Sequence, residues 1–444
     1  MTADATFGGR AALTHGRLLR LALPVTLSNI STPLLGVVNA AAIGRLGDAT
    51  QLGAVALGAV IFDMLFWSFV FLRMGTAGLT AQAYGASDAN ELRNVWWRST
   101  LIAAAIGLII IILRTPIIEI GVAFMQPSAE TAAFVRAYVG ARIWSAPVTL
   151  MNYAVLGSLI GRARFDVGLG LQIAINIVNI ALSLFFVSVS GWGVTGVAWA
   201  SVIAETLGLA AGLFFQAQDG LMRALRWRDI FARERIWKTV TVNRDIFLRT
   251  LLLIAATAIF FRQGARSGDA TLAANAVLHN FLAIGAFFLD GFATATEQIA
   301  GQSVGARDRE GFNRAVRLGA IWCVGFGAAV SLLFATSGGA LIDFISTNAE
   351  VRSTARAFLL FAALAPFAGA LAFLFDGVFI GATWTRAMRD AMLVSFALGG
   401  LVYVAASPWG NSGLWLTFLA FLALRGLVQA ALYSRLERAT FASG

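Results

Sequence analysis

The feature that most constrains this chain is a set of long apolar runs with no charge in them. Residues 101–113, 173–189 and 393–406 each lack any Asp, Glu, Lys or Arg. A helix needs roughly 20 mostly apolar residues to cross about 30 Å of hydrocarbon, and lipid offers no partner to a loose backbone amide. Only 13% of the 444 residues are charged and 59% are hydrophobic, whereas soluble domains carry about 25% charged residues. The spacing of such runs predicts helices over about 17–44, 52–80, 95–113, 130–157, 167–187, 192–217, 244–262, 272–300, 312–337, 354–381, 390–406 and 411–434. The expected fold is therefore an all-α integral membrane protein with twelve transmembrane helices.

The net charge of +10 invites a nucleic-acid partner, but its distribution argues for topology instead. Most basic residues fall at the N-terminus, in the loops after even-numbered spans and at the C-terminus. The opposite side holds Arg45, Arg114, Arg136, Arg262, Arg266, Arg352 and Arg356. By the positive-inside rule both termini are expected in the cytoplasm, with the lipid bilayer and not nucleic acid as the surrounding partner. The opening segment is polar, carries Arg10, Arg17 and Arg20, and is read as holding no removable signal peptide. Cys323 is the one cysteine and His15 and His279 the two histidines. No intrachain disulfide and no multi-histidine metal site follow from that inventory, and neither a phosphate-binding glycine loop nor any other catalytic signature is present, so an enzyme is not expected.

The chain repeats itself. AQAYGASD, ending at Asp88, recurs as GQSVGARD, ending at Asp308, 220 residues on. GSLIGRA from Gly157 recurs as GVFIGAT from Gly377 at the same offset, and GDAT at Gly47 recurs at Gly268, one residue out of phase. Residues 1–217 form one expected six-helix bundle and 244–444 the other, with 218–243 a cytoplasmic linker whose Trp227, Ile230, Phe231, Ile236 and Trp237 lie among basic residues in an interfacial pattern. Six spans per copy insert both bundles in the same orientation. In transporters so built, substrate sits near the midplane and alternating access comes from lobes rocking or helices bending.

Ionisable residues inside spans cost at least about 2.5–3.5 kcal/mol on insertion scales and are read as functional by default. The eighth span carries His279, Asp290 and Glu297, which at 100° per residue share one face. A carboxyl withdrawn from water keeps its proton more readily, which suits a proton carrier. Coupling and a structural hydrogen bond are the two readings of these acids. Gln172, Asn176, Asn179 and Ser183 form a neutral seam on the fifth span, open to substrate contact or to interhelical packing. The first span repeats the idea with Ser28, Thr32 and Asn39, and Pro24 and Pro33 interrupt its hydrogen-bond ladder as in a gate. Asp376 lies in the tenth span opposite Leu156 of the first copy, so the bundles are not chemically equivalent. Asp63 and Glu205 read as packing or interface acids, and Arg73 is placed to neutralise one buried acid.

LALPVTLSNI (21–30), FLRMGTAGLTAQAYGA (71–86), NRDIFLRTLLL (243–253), FLDGFATATEQIAGQSVGARD (288–308), FDGVFIGAT (375–383) and LWLTFLAFLALRGL (414–427) run the length of the chain. With these segments the sequence resembles the multidrug and toxic-compound extrusion (MATE) family, specifically its DNA-damage-inducible F (DinF) subgroup. The resemblance implies a V-shaped pair of pseudo-symmetric six-helix bundles that exports cationic or amphipathic small molecules against inward proton or sodium flow. It also implies lumen-facing Asp290 and Glu297 and a cation-related Asp376, where sodium is the metal to consider. Two departures stand out. The subgroup's V-D-T-A-x-x-G reads VNAAAIG here, so Asn39 replaces the acid often assigned to proton coupling. An aspartate expected after N-x-x-N-x-x-x is Ser183, and neither side chain titrates near neutral pH.

The resulting expectation is a cation-coupled antiporter of the bacterial inner membrane, with proton favoured over sodium and no cofactor. Thr32, Asn39, Gln172, Asn176, Asn179 and Ser183 line its substrate chamber, and Asp290, Glu297, Asp376 and His279 carry coupling. A twelve-helix unit needs no partner to complete a pathway, which points to a monomer. A lipid-linked flippase of the same superfamily would need several cations along the central cavity, and the sequence offers few. A non-transporting receptor or scaffold is the other alternative, favoured by the two missing acids.

Overall fold

The computed structural model describes residues 13–44, 49–223, 227–230 and 232–442, without side chains for 30–44, 49, 227 and 228. The helices are α1 (His15–Gly44), α2 (Thr50–Gly85), α3 (Ala89–Ile112), α4 (Ala129–Gly161), α5 (Phe165–Ser188) and α6 (Gly193–Gln218). After a short helix at Trp227–Ile230 come α7 (Arg233–Ala265), α8 (Asp269–Gly305), α9 (Arg309–Ile345), α10 (Ala349–Gly381), α11 (Thr385–Ala406) and α12 (Gly410–Phe441). Among the described residues, 9 stretches are long and apolar enough to cross a membrane. One of these joins α11 to α12, and α1 and α7 complete twelve helices. Phe344 is 88% and Ile112 78% exposed, and such apolar side chains on an outer surface belong in lipid.

Local chemistry explains the bends. A turn at 68–70 divides α2. A 3-10 segment, Ile143–Ser145, ahead of Pro147 bends α4, and Pro366 lies inside α10. The backbone of α1 stays helical through Pro24 and Pro33. Two features depart from the expected elements. A further helix, Arg114–Met125, follows α3, with Ile120 and Phe124 on its exposed face. The stretch read as linker is helical from Arg233 and continuous with α7, because no proline interrupts residues 233–265. Within the repeat, Asp88 caps α3 by accepting from the Asn90 and Glu91 amides, and Asp308 caps α9 through Gly311.

Glycine sets how closely the helices approach. A Cβ on Gly157 of α4 would lie 2.4 Å from the Arg73 carbonyl of α2, and one on Gly377 of α10 would lie 2.3 Å from the Ala293 carbonyl of α8. These are the same contact, 220 residues apart. The lobes meet through its reciprocal form: a Cβ on Gly85 would sit 2.0 Å from the Gln302 carbonyl, and one on Gly305 2.0 Å from the Gln82 carbonyl. One core runs across this junction, from Leu18 and Leu72 to Leu374 and Phe379. Farther from the basic loops each lobe has its own core, around Tyr138 and Val197 in the first and around Phe260 and Trp415 in the second. The lobes are thus joined at the basic end and diverge beyond it.

Crowding of this kind predicts a sharp contrast. Gly381→Ala places a methyl 2.1 Å from the Glu297 carbonyl and is expected to cost about 1–3 kcal/mol, lowering the thermal unfolding midpoint in detergent by several degrees. Gly400→Ala meets open space and is expected to leave the midpoint unchanged or raised.

Candidate functional site

Buried polar side chains gather within each lobe and in a strip between them. In the first lobe, Asn179 of α5 donates to Ser201 of α6 at 2.8 Å and accepts from Ser183 at 3.1 Å, while Gln172 donates to Asn176 at 3.2 Å. Asn176, Asn179, Ser183 and Ser201 are all buried. At Asn179 and Ser183 the seam is a satisfied network tying α5 to α6, as interhelical amides do. The side chains of Thr32 and Asn39 lie outside the described residues. Ser201 escaped the sequence reading because a single serine in an apolar span carries no pattern.

Deeper in the same lobe, Glu205 of α6 accepts a hydrogen bond from Thr149 of α4. Arg142 stacks 3.8 Å above the Phe62 ring and donates to the Tyr138 hydroxyl at 3.0 Å. Both Glu205 and Asp63 act on it electrostatically. The two acids that looked isolated in the sequence therefore act on one cation.

Between the lobes, α1 leans on α8. Asn29 donates to the Asp290 carboxylate at 3.0 Å and to the Phe287 carbonyl at 3.5 Å. Two turns further along α8, Glu297 is buried and its Oε1 has no hydrogen-bond partner. Arg73 of α2 and Asp290 are the charges that act on it. His279 is not part of this strip. It lies eleven residues before Asp290, roughly 16 Å along the helix, with its ring 5.1 Å from Phe261 and 6.3 Å from Phe418.

In the second lobe, Asp376 of α10 accepts from Arg249 of α7, from Arg425 of α12 at 2.7 Å and from Gln429 at 3.0 Å. All four side chains are buried. Arg249 stands at the edge of an apolar run in the sequence, and the fold turns it inward. With Arg142, Arg249 and Arg425 buried or packed inside, the interior holds more cations than the sequence suggested, though each already has a partner.

Two copies of one helical unit, joined at the basic end around a polar strip, have a counterpart among known families. The MatE family model matches residues 24–185 and again 246–407. The chain belongs to this family of MATE transporters. It is 37% identical to DNA damage-inducible protein F of Escherichia coli (strain K12), across 94% of this chain and 92% of that protein. It is 29% identical to a probable multidrug resistance protein NorM of Caulobacter vibrioides, across 67% of this chain and 64% of that one. Its fold matches the crystal structure of an aspartate-to-asparagine mutant of the Vibrio cholerae MATE transporter VcmN. That match has a TM-score of 0.86 at 18% identity and covers 96% of this chain and 97% of the other. This MATE protein is thus a multi-pass membrane transporter and not an enzyme.

The Asp376 cluster makes a stability prediction. Asp376→Asn leaves two buried guanidinium groups without their anion and is expected to cost about 3–5 kcal/mol. Adding Arg249→Met restores the cluster's net charge and is expected to recover much of the loss, measured as thermal midpoints of the two variants in detergent.

Proposed function

We propose that this MATE transporter exports amphipathic or cationic small molecules across a bacterial inner membrane, both termini cytoplasmic, in exchange for inward-moving protons. The observation that carries the reading is Glu297, a buried carboxyl on α8 with one oxygen unpartnered and with Arg73 and Asp290 acting on it. An ionised carboxylate in such a place is costly unless something compensates it. A proton and a cationic substrate are competing compensators, and competition for one carboxyl is the simplest form of antiport. Asp290, tied to Asn29 of α1, links the same helix to the first lobe, so a change of charge on α8 bears on the joint between the lobes. The substrate chamber lies against Asn176 and Gln172 of α5. The basic end is the cytoplasmic side, closed in this conformation.

Sodium is the poorer coupling ion at Asp376. Both carboxylate oxygens there are engaged by arginine or glutamine, and two guanidinium groups repel a third cation. The flippase alternative gains buried cations from the fold, but Arg142, Arg249 and Arg425 are already engaged by Tyr138 and Asp376.

The test is uptake of a fluorescent cationic dye by proteoliposomes under separately imposed proton and sodium gradients. The proton gradient is expected to drive uptake and the sodium gradient not. Glu297→Gln is expected to reduce proton-driven flux at least tenfold, and Asn39→Asp to raise it by adding a second exchangeable carboxyl. Flux that survives joint neutralisation of Glu297 and Asp290 would overturn the reading.

A further inference from the structure

The reciprocal glycine contact joins the lobes symmetrically, but the hydrogen bonds beside it are asymmetric. Gln82, near the end of α2 in the first lobe, donates from Nε2 to the Gly381 carbonyl at 3.0 Å and to the Thr383 hydroxyl at 3.1 Å, both in the second lobe. The pseudo-equivalent of Gln82 is Gln302 on α8, and those of Gly381 and Thr383 are Gly161 and Ala163, each 220 residues away. Gln302 Nε2 is buried and has no hydrogen-bond partner. Alanine at 163 has no hydroxyl to offer it.

The backbone marks the same two positions. Thr383 has φ of 55° and Ala163 φ of 59°, in the left-handed region that β-branched residues rarely occupy. Thr383 thus keeps an unfavourable backbone conformation at the point where its hydroxyl meets the other lobe. Strain held at one position points to a role for that side chain, and the hydrogen bond to Gln82 supplies one.

We propose that Gln82 and Thr383 form a one-sided latch that sets how readily the lobes part at the basic end, and that alanine at 163 leaves the twin latch unmade. Every transport cycle that opens this end must break the Gln82 bonds, since they cross from one lobe to the other. With both latches formed, the closed state would be held more firmly and turnover would slow. With one, the closed state is favoured but opens. The orphaned Gln302 amide is the trace of that asymmetry. The two turns that carry residues 163 and 383 lie each within its own lobe, so their backbone strain is common to open and closed states and cancels from the equilibrium between them. The hydroxyl contact does not cancel.

The inference rests on the alternating-access reading, and its test is independent of coupling ion and substrate. Spin labels at Asn90 and Glu310, exposed pseudo-equivalent positions at the basic end, are introduced as cysteines in a Cys323→Ala background. Their distance distribution is measured by pulsed electron paramagnetic resonance in lipid nanodiscs. Thr383→Ala is expected to raise the ratio of long to short distances about fivefold, the equivalent of one neutral hydrogen bond. Ala163→Thr is expected to lower that ratio by a similar factor and to slow dye turnover in proteoliposomes. Ala163→Val has the same shape and the same backbone strain but no hydroxyl, and is expected to leave the ratio where it is. If Ala163→Thr and Ala163→Val give the same distribution, or if Thr383→Ala does not move it, the latch does not exist. Loss of stability alone would affect the threonine and valine variants alike, and absence of proton coupling would leave the distances as predicted.

Discussion

The approach of helix backbones to within carbonyl contact, permitted by glycine, is the constraint on which this molecule depends. Within a lipid bilayer apolar side chains gain nothing by leaving lipid for protein, so helices associate through close packing and hydrogen bonds. Gly157 on α4 and Gly377 on α10 bring their helices onto α2 and α8, and Gly85 and Gly305 bring α2 and α8 onto each other. The same residue type, at positions related by one offset, builds each lobe and then joins the two. A junction made of small residues and a few hydrogen bonds is firm when closed and leaves little to overcome when it parts. That is the mechanical property a rocking transporter requires.

Charge is arranged on this frame by lobe. In the first lobe Asp63 and Glu205 act electrostatically on Arg142, and in the second Arg249 and Arg425 pair with Asp376. One is a cation among acids and the other an acid among cations. Glu297, on α8 beside the junction, belongs to neither, and its unpartnered oxygen is the least satisfied acid of the strip between the lobes. The Asp376 carboxylate, with both oxygens engaged, holds helices in place; a carboxyl with an oxygen left over is free to respond to an incoming ion.

The repeat, the twelve helices and the family were legible in the sequence because each rests on a periodic signal: apolar runs of span length, a common offset, and motifs in a fixed order. The acids on α8 were legible because a charge inside an apolar run is conspicuous. Their partners were not. Asn29, Arg249, Arg425 and Gln429 are brought to Asp290 and Asp376 by packing between helices far apart in the chain, and no local pattern records such neighbours. His279 shows the reverse case. It shares a helical face with Asp290 and Glu297, yet an interval of eleven residues carries it along the axis into an aromatic pocket. Facial periodicity gives direction around a helix and says nothing of depth. The helix at Arg114–Met125 was hidden for a related reason, since the proline in its first turn reads as a terminator while serving as a start.

The most direct measurement is of proton release on binding. If substrate and proton compete for Glu297, adding a cationic dye to the purified protein in weakly buffered detergent solution must expel a proton, and linkage requires dye affinity to rise with pH by the same coupling. The account predicts proton release in the native chain, and in Glu297→Gln a weaker dye binding that releases no proton. Binding without proton release in the native chain, or release undiminished in Glu297→Gln, would contradict it.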